Sequence, residues 1–337
     1  MKKRQLLIVG LTLFFSLLAS CGTPAQSSNP PQSGATSSPD AAQRPLNDTY
    51  LTSINQVADA SKGAFHTPLD STPDANGTIV YFTATGPQGP GIFRVPVAGG
   101  TVTQVYAGTP FVAPRGIAAS PDGTSLVIAD SQAGHGGELF IMPATGGTPA
   151  PIKGSQGSAP QNLNIYTENG QQLIYFTGKD AHSSQPAILT LPQQGAQAPG
   201  IIYKGAPLVM PDGIVLAPSN TIYVSDQGAA SSGDGKIFKI ANKNITALLS
   251  GIHVGNPAGI ALSPDDAILL ISAHQATSSS DQVLLLDLNS LQTGSVTKVV
   301  GQNANAGGLH ASPLHKDVFA WADSPAFPNT GRVFTIK

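Results

Sequence analysis

The residues from Gly116 to Gln132, GIAASPDGTSLVIADSQ, are echoed by GIVLAPSNTIYVSDQ at Gly213–Gln227 and by GIALSPDDAILLISAHQ at Gly259–Gln275, where a His stands in place of the Asp. A chain that writes one pattern repeatedly folds into stacked copies of one supersecondary unit, because each copy carries an apolar face that it cannot bury alone. The spacing decides which unit. The short apolar segments GIFRVP, ELFIMP, AILTLP, KIFKIA, VLLLDL and RVFTIK share a register through Phe93, Phe140, Leu189, Phe238, Leu285 and Phe334, at intervals of 47, 49, 49, 47 and 49 residues. A period of about 40–50 built from short alternating apolar runs is that of propeller blades. A helical solenoid would need apolar positions at 3.6 spacing over ten or more residues, and no such stretch follows the N-terminal segment.

Each unit therefore reads as four antiparallel strands. In the second unit they fall near 115–119, 125–130, 138–142 and 148–152. Polar alternation within them is weak, as expected where both faces of a blade lie against neighbouring blades. The sixth unit reaches Lys337 after its third strand, and the N-terminal stretch YLTSINQVADASKGAFHTP matches GTVTQVYAGTPFVAPRG, with Val57 nine residues before His66 as Val105 is before Pro114. The expected fold is all-β: a six-bladed propeller of four-stranded antiparallel blades, closed by Tyr50–Val57 as the missing strand of the last blade. Such closure leaves no open sheet edge.

The N-terminus carries a different signal. Lys2, Lys3 and Arg4 precede an apolar run, Leu6–Leu18, that is short for a membrane span. It ends in LASC, which resembles the bacterial lipobox, in which the Cys becomes lipidated and N-terminal. Cys21 is the one cysteine of the chain. An exported domain with a stray thiol is uncommon, and lipidation would consume it. Residues 1–20 are thus expected to be a lipoprotein signal peptide, residues 21–48 the lipidated Cys and a flexible Ser/Pro/Gln-rich tether, and residues 49–337 the propeller. As a coil the tether spans roughly 30 Å. The expected location is the bacterial cell envelope, extracytoplasmic and held to a membrane through Cys21, at the outer membrane, facing the periplasm, or at the cell surface.

Charge excludes one class of partner. Charged residues make up 11% of the chain, and loss of the three N-terminal cations takes the formal charge from −2 to −5. An acidic domain without a basic run does not attract phosphate backbones, so nucleic acid is not an expected partner.

The segments SPDGTSLVIADSQ and NTIYVSDQG resemble repeats of the NHL and gluconolactonase (senescence-marker-protein-like) six-bladed propellers, over roughly residues 50–337. In the gluconolactonase-like proteins adjacent inner strands supply an Asn and an Asp to a divalent cation. The resemblance places Asn162, in PQNL, and Asp212, in PDGI, at those positions, with Ca²⁺ as the cation. The family also has a Glu on its first inner strand, and the corresponding stretch here, FHTPLD, offers His66 and Thr67. No Gly-x-Ser-x-Gly element is present, which sets nucleophilic serine chemistry aside.

Antiparallel pairing puts the start of each first strand and the end of each second strand at one face of the ring. That face also receives the longer loops, such as SQAGHGG, KDAHSSQP and QGAASSGDG. Long loops on one side of a rigid scaffold are where recognition concentrates. The expected ligand face comprises His66, Arg115, Asp130, Asn162, Asp212, Asp226, His274 and His310. The leading expectation is a binding protein for a small molecule, a glycan or a protein, which requires no cofactor. The alternative is a divalent-metal-dependent hydrolase of the lactonase type, and His-mediated acid–base chemistry is a third option on a face so rich in His.

Overall fold

The computed structural model describes residues 53–228, 235–274, 281–299, 304–325 and 331–337. The signal segment, the tether with Cys21, and Tyr50–Thr52 lie outside the described residues. Among the described residues there is no α-helix. A first strand, β1 (Ile54–Asp59), leads through a 3-10 turn at Ala60–Lys62 into a four-stranded antiparallel sheet: β2 (His66–Pro73), β3 (Ile79–Gly86), β4 (Gly89–Pro96) and β5 (Thr103–Ala107). Two sheets of the same kind follow. One holds β6 (Pro114–Ala119), β7 (Ser125–Asp130), β8 (Glu138–Pro143) and β9 (Ala150–Pro151). The other holds β10 (Leu163–Glu168), β11 (Gln171–Lys179), β12 (Pro186–Pro192) and β13 (Gly200–Lys204).

The next eight strands form one sheet. They are β14 (Pro211–Ala217), β15 (Thr221–Asp226), β16 (Gly235–Ala241), β17 (Asn244–Val254), β18 (Ile260–Leu262), β19 (Ile268–His274), β20 (Asp281–Asp287) and β21 (Thr293–Val299). The long β17 links its two halves, pairing with β16 and then, through His253 and Val254, with β19. The last sheet consists of β22 (Ala304–Ala311), β23 (Phe319–Pro325) and β24 (Arg332–Ile336), and β1 adds to it. Ile54 lies opposite Ile336 and Asp59 opposite Arg332. The N-terminal strand thus pairs where the repeat places it, two residues further along at its C-terminal end than expected.

The repeated Ser-Pro-Asp is a turn device. Asp122 accepts from the Ser120 hydroxyl at 2.6 Å and the Thr124 N–H at 2.9 Å, closing the β6–β7 hairpin, and Ser263 and Asp265 repeat the hydroxyl contact at 2.6 Å between β18 and β19. Side-chain bonds of this kind are why Asp and Ser favour turns.

Apolar residues fill the spaces between successive sheets. One cluster joins Leu139 and Val127 to Phe176 and Leu189, and another joins Val215 and Tyr223 to Leu269 and Ile271. Phe82, Phe93 and Val95 of the sheet β2–β5 meet Val318, Ala320 and Val333 beside and within β23 and β24. The innermost strands β2, β6, β10, β14, β18 and β22 each touch the next, and β22 touches β2.

Four of these inner strands share a deformation. Pro114 is opposite Asp130 while Ile117 is opposite Ile128, and the same extra residue appears between Pro211 and Ile214 and between Ala306 and Leu309. In β2 the excess is two residues, between His66 and Asp70. A bulge bends its strand and re-aims side chains. It also explains the repeated Pro-x-Gly: a Cβ on Gly116 would stand 2.7 Å from the Gln161 carbonyl oxygen, so only glycine lets β6 approach the neighbouring inner strand.

Candidate functional site

The channel between the inner strands is plugged by a polar layer centred on Asp70, which is fully buried. Its Oδ2 accepts from the Ile117 N–H at 2.9 Å and the Asn162 Nδ2 at 3.1 Å, and lies 3.0 Å from His310 Nε2. Its Oδ1 accepts from the Ser71 N–H at 2.8 Å. One carboxylate therefore ties β2 to β6, to the approach to β10, and to β22. The His310 Nδ1 faces Asn164 Oδ1 at 3.3 Å, and the Asn164 Nδ2 donates to the Ile214 carbonyl at 2.7 Å, which fixes the amide's orientation. Both imidazole nitrogens thus lie within hydrogen-bond reach of side-chain oxygens.

Above this plug, on the long-loop side, a pocket of about 250 Å³ is lined by Arg115, Gln161, Lys179, Asp212, Gln227 and Asn256, among others. Arg115 and Asp212 sit at equivalent bulges of β6 and β14 and come together: Arg115 Nη2 is 3.9 Å from Asp212 Oδ2 and donates to Asn256 Oδ1. Asp212 Oδ2 also accepts from Gln227 Nε2 at 2.6 Å and from the Ala258 N–H at 3.0 Å, while Oδ1 has no donor among the described residues. Burial pushes the Asp212 carboxyl up to about 6, against the lowering effect of Arg115 and these hydrogen bonds. A carboxyl tuned near neutrality beside a guanidinium, with amides around it, can match hydroxyl or carboxylate groups of a small ligand.

Several expected site residues have other work. Asp130 and Asp226 are buried and saturated by backbone. Asp130 accepts from Val112, Ala113, Gln132 and Ala133, and Asp226 from Val209, Met210 and Gly228, at 2.8–3.2 Å. Each fastens the loop leading into its sheet to the loop leaving its second strand, so neither faces the channel as a ligand group. Asp180, just after β11, is held instead within its own loop by the His182 N–H and Ser183 Oγ, and by Lys204 Nζ at the end of β13. His310 is expected at the channel mouth but lies in its core. His66, half-buried at the start of β2, has its Nδ1 3.2 Å from the Thr67 hydroxyl.

The His that replaces Asp in the third repeat answers to a different partner. His274 Nδ1 lies 3.0 Å from Asp281 Oδ1 across the β19–β20 pair. Asp281 and Asp323 are both buried. Burial first, and then for Asp323 the neighbouring Asp281 carboxyl, raises both carboxyls.

The residues at the expected metal positions are engaged by other partners. Asn162 presents its amide hydrogens to Asp70, both oxygens of Asp70 are occupied by donors, and Asp212 faces a guanidinium. Among the described residues no three His, Cys, Asp or Glu side chains gather as a metal site. Asp70 is the functional-region residue that sequence reasoning passed over. It ends the stretch FHTPLD, in which the family resemblance selects His66 and Thr67, and a two-residue bulge, with Thr67 at φ 51°, separates these from Asp70 in the buried layer.

No protein-family model and no curated protein matches the sequence. Solved structures match the fold. A protein of unknown function from Dyadobacter fermentans is 12% identical with a TM-score of 0.59, over 87% of this chain and 98% of that one. A gluconolactonase from Xanthomonas campestris is 16% identical with a TM-score of 0.56, over 88% and 99%. A TolB-like protein from Agrobacterium tumefaciens is 15% identical with a TM-score of 0.57, over 80% and 90%. At these identities the likeness is one of fold: the chain has a β-propeller fold.

Proposed function

We propose that this protein is a lipid-anchored, extracytoplasmic six-bladed propeller that binds a small polar molecule at the long-loop mouth of its channel. The blade count is supported by the division of the eight-stranded sheet at β17 into two four-stranded halves, and closure by the pairing of β1 with β24. The anchor rests on the lipobox-like LASC at Cys21, ahead of the tether of residues 22–48. The observation that carries the binding reading is the convergence of Arg115 and Asp212 in a pocket of about 250 Å³, with Gln227 and Asn256 holding them. That is room for a molecule of monosaccharide size, and the guanidinium, amides and carboxyl suit a sugar or sugar acid, free or as the end of a glycan.

The test is a thermal-shift screen of the full chain against monosaccharides and hexuronic acids. The expected result is a compound that raises the melting temperature of the wild type but not of Arg115→Ala. A panel without any shift, or a shift unchanged in the variant, would refute the assignment. A metal-dependent lactonase is the second reading, favoured by the propeller likeness and by the free Oδ1 of Asp212. It requires Ca²⁺ to raise the melting temperature and Asp212→Asn to abolish the rise, together with lactone hydrolysis. The committed hydrogen bonds of Asp70 and Asn162 favour binding over that chemistry.

A further inference from the structure

The channel has a second mouth. Below the polar plug, among the turns joining first and second strands, lies a cavity of about 430 Å³, larger than the pocket on the long-loop side. Asn164, whose amide meets His310, is shared between the plug and this cavity's lining, so the two spaces are separated by the Asp70–His310 layer. The walls are largely aliphatic, with Ile165, Val215, Leu216 and Leu262 inside and the exposed Leu314 among the lining residues. Tyr166 supplies an aromatic face, stacked edge-on against Tyr175 at 5.8 Å. Burial raises the Tyr166 phenol, which stays neutral and accepts from the Leu216 N–H at 2.7 Å.

The charges lining this cavity are unequal. Lys316 pairs with Asp266 at 3.3 Å. Glu168 accepts from the Tyr175 hydroxyl, and among the described residues no cation pairs with it. An unpaired carboxylate beside apolar walls, where water screens poorly, attracts an ammonium and repels an acid. Tyr166 adds a ring face suited to the same cation. The volume is in the range of small-molecule sites.

We propose that this far cavity is a second binding site, for a small organic amine whose apolar body fills the aliphatic chamber while its ammonium meets Glu168. The site is independent of the pocket at Arg115 and Asp212. Isothermal titration of the full-length protein with tryptamine and with indole-3-propionate, which share a ring system and differ in charge, tests it. Tryptamine is expected to bind one site at least tenfold more tightly than the acid. Glu168→Gln should erase that preference, Ala311→Trp should fill the chamber and remove binding, and Asp212→Asn should leave binding unchanged. The proposal is overturned if tryptamine does not bind, if the acid binds equally well, if binding survives Ala311→Trp in a protein with a native circular-dichroism spectrum, or if Asp212→Asn abolishes it. Should Ala311→Trp fail to fold, retention of the full amine preference in Glu168→Gln is sufficient to reject the site.

Discussion

Replacing Asp70 is expected to be the most damaging single change in the channel. Asp70→Ala removes an acceptor from four buried donors: the Ser71 and Ile117 N–H groups, the Asn162 amide and the His310 Nε2. At about 1–3 kcal/mol per orphaned buried donor, four amount to about 4–12 kcal/mol. A water entering the vacated space recovers part of the loss. A loss of at least about 4 kcal/mol follows, a large fraction of the 5–15 kcal/mol that holds a typical domain. Asp70→Asn keeps one acceptor oxygen but turns an NH₂ toward a donor, and should cost about half as much. Urea unfolding measures both, read as shifts in midpoint at constant slope. Because Asp70 and His310 share one bond, adding His310→Gln to Asp70→Asn should cost less than the sum of the two single changes. A loss below about 1 kcal/mol for Asp70→Ala, or strict additivity with His310, would refute the view of this layer as the fastening of the inner strands.

Other outcomes follow from the same contacts. Asp281, Asp323 and Asp212 all have carboxyls raised in the folded state, so the native protein holds protons that the unfolded chain releases. Stability should therefore fall as pH climbs from the ordinary carboxylate range toward neutrality and beyond. Asp323→Asn, which removes the carboxyl raised most by burial and by Asp281, should flatten that slope and raise stability at pH 8; identical pH profiles for variant and wild type would count against the raised carboxyl. Asp130→Ala strands the N–H groups of Val112, Ala113, Gln132 and Ala133; as most of these are only part-buried and water can reach them, it should lower stability by about 2–4 kcal/mol, less than Asp70→Ala, in the same unfolding assay, with protease cleavage appearing first near residue 112. Deleting residues 54–59 exposes the edge of β24 and should give aggregation in light scattering, whereas deleting residues 22–45 should leave the melting temperature unchanged. Cys21→Ser should move the protein from the membrane fraction to the soluble one, and a wild type already soluble would dismiss the anchor.

The sequence by itself determined the repeating unit, its strands and its turns. Phe93, Phe140, Leu189, Phe238, Leu285 and Phe334 recur at a nearly constant interval because each fills the same place in its own sheet, and Ser120 with Asp122 closes a hairpin within a few residues of itself. Such features are local: side-chain period and turn chemistry act between residues that are near neighbours in the chain. The same locality made Asp130 and Asp226 look like channel residues, since a conspicuous Asp at a strand end reads alike whether it faces a ligand or fastens a loop. What met at the axis was decided only by tertiary structure. Asp70 reaches His310 across 240 positions of sequence and Asn162 across 92, and Arg115 reaches Asn256 across 141. Those meetings depend on bulges that turn Asp70, Arg115 and Asp212 inward, and on inner strands brought side by side at Gly116 and Gly308, where a Cβ has no room. A bulge shifts by one or two residues which side chain points inward, and the pattern of polar and apolar residues along a strand buried on both faces does not record the shift.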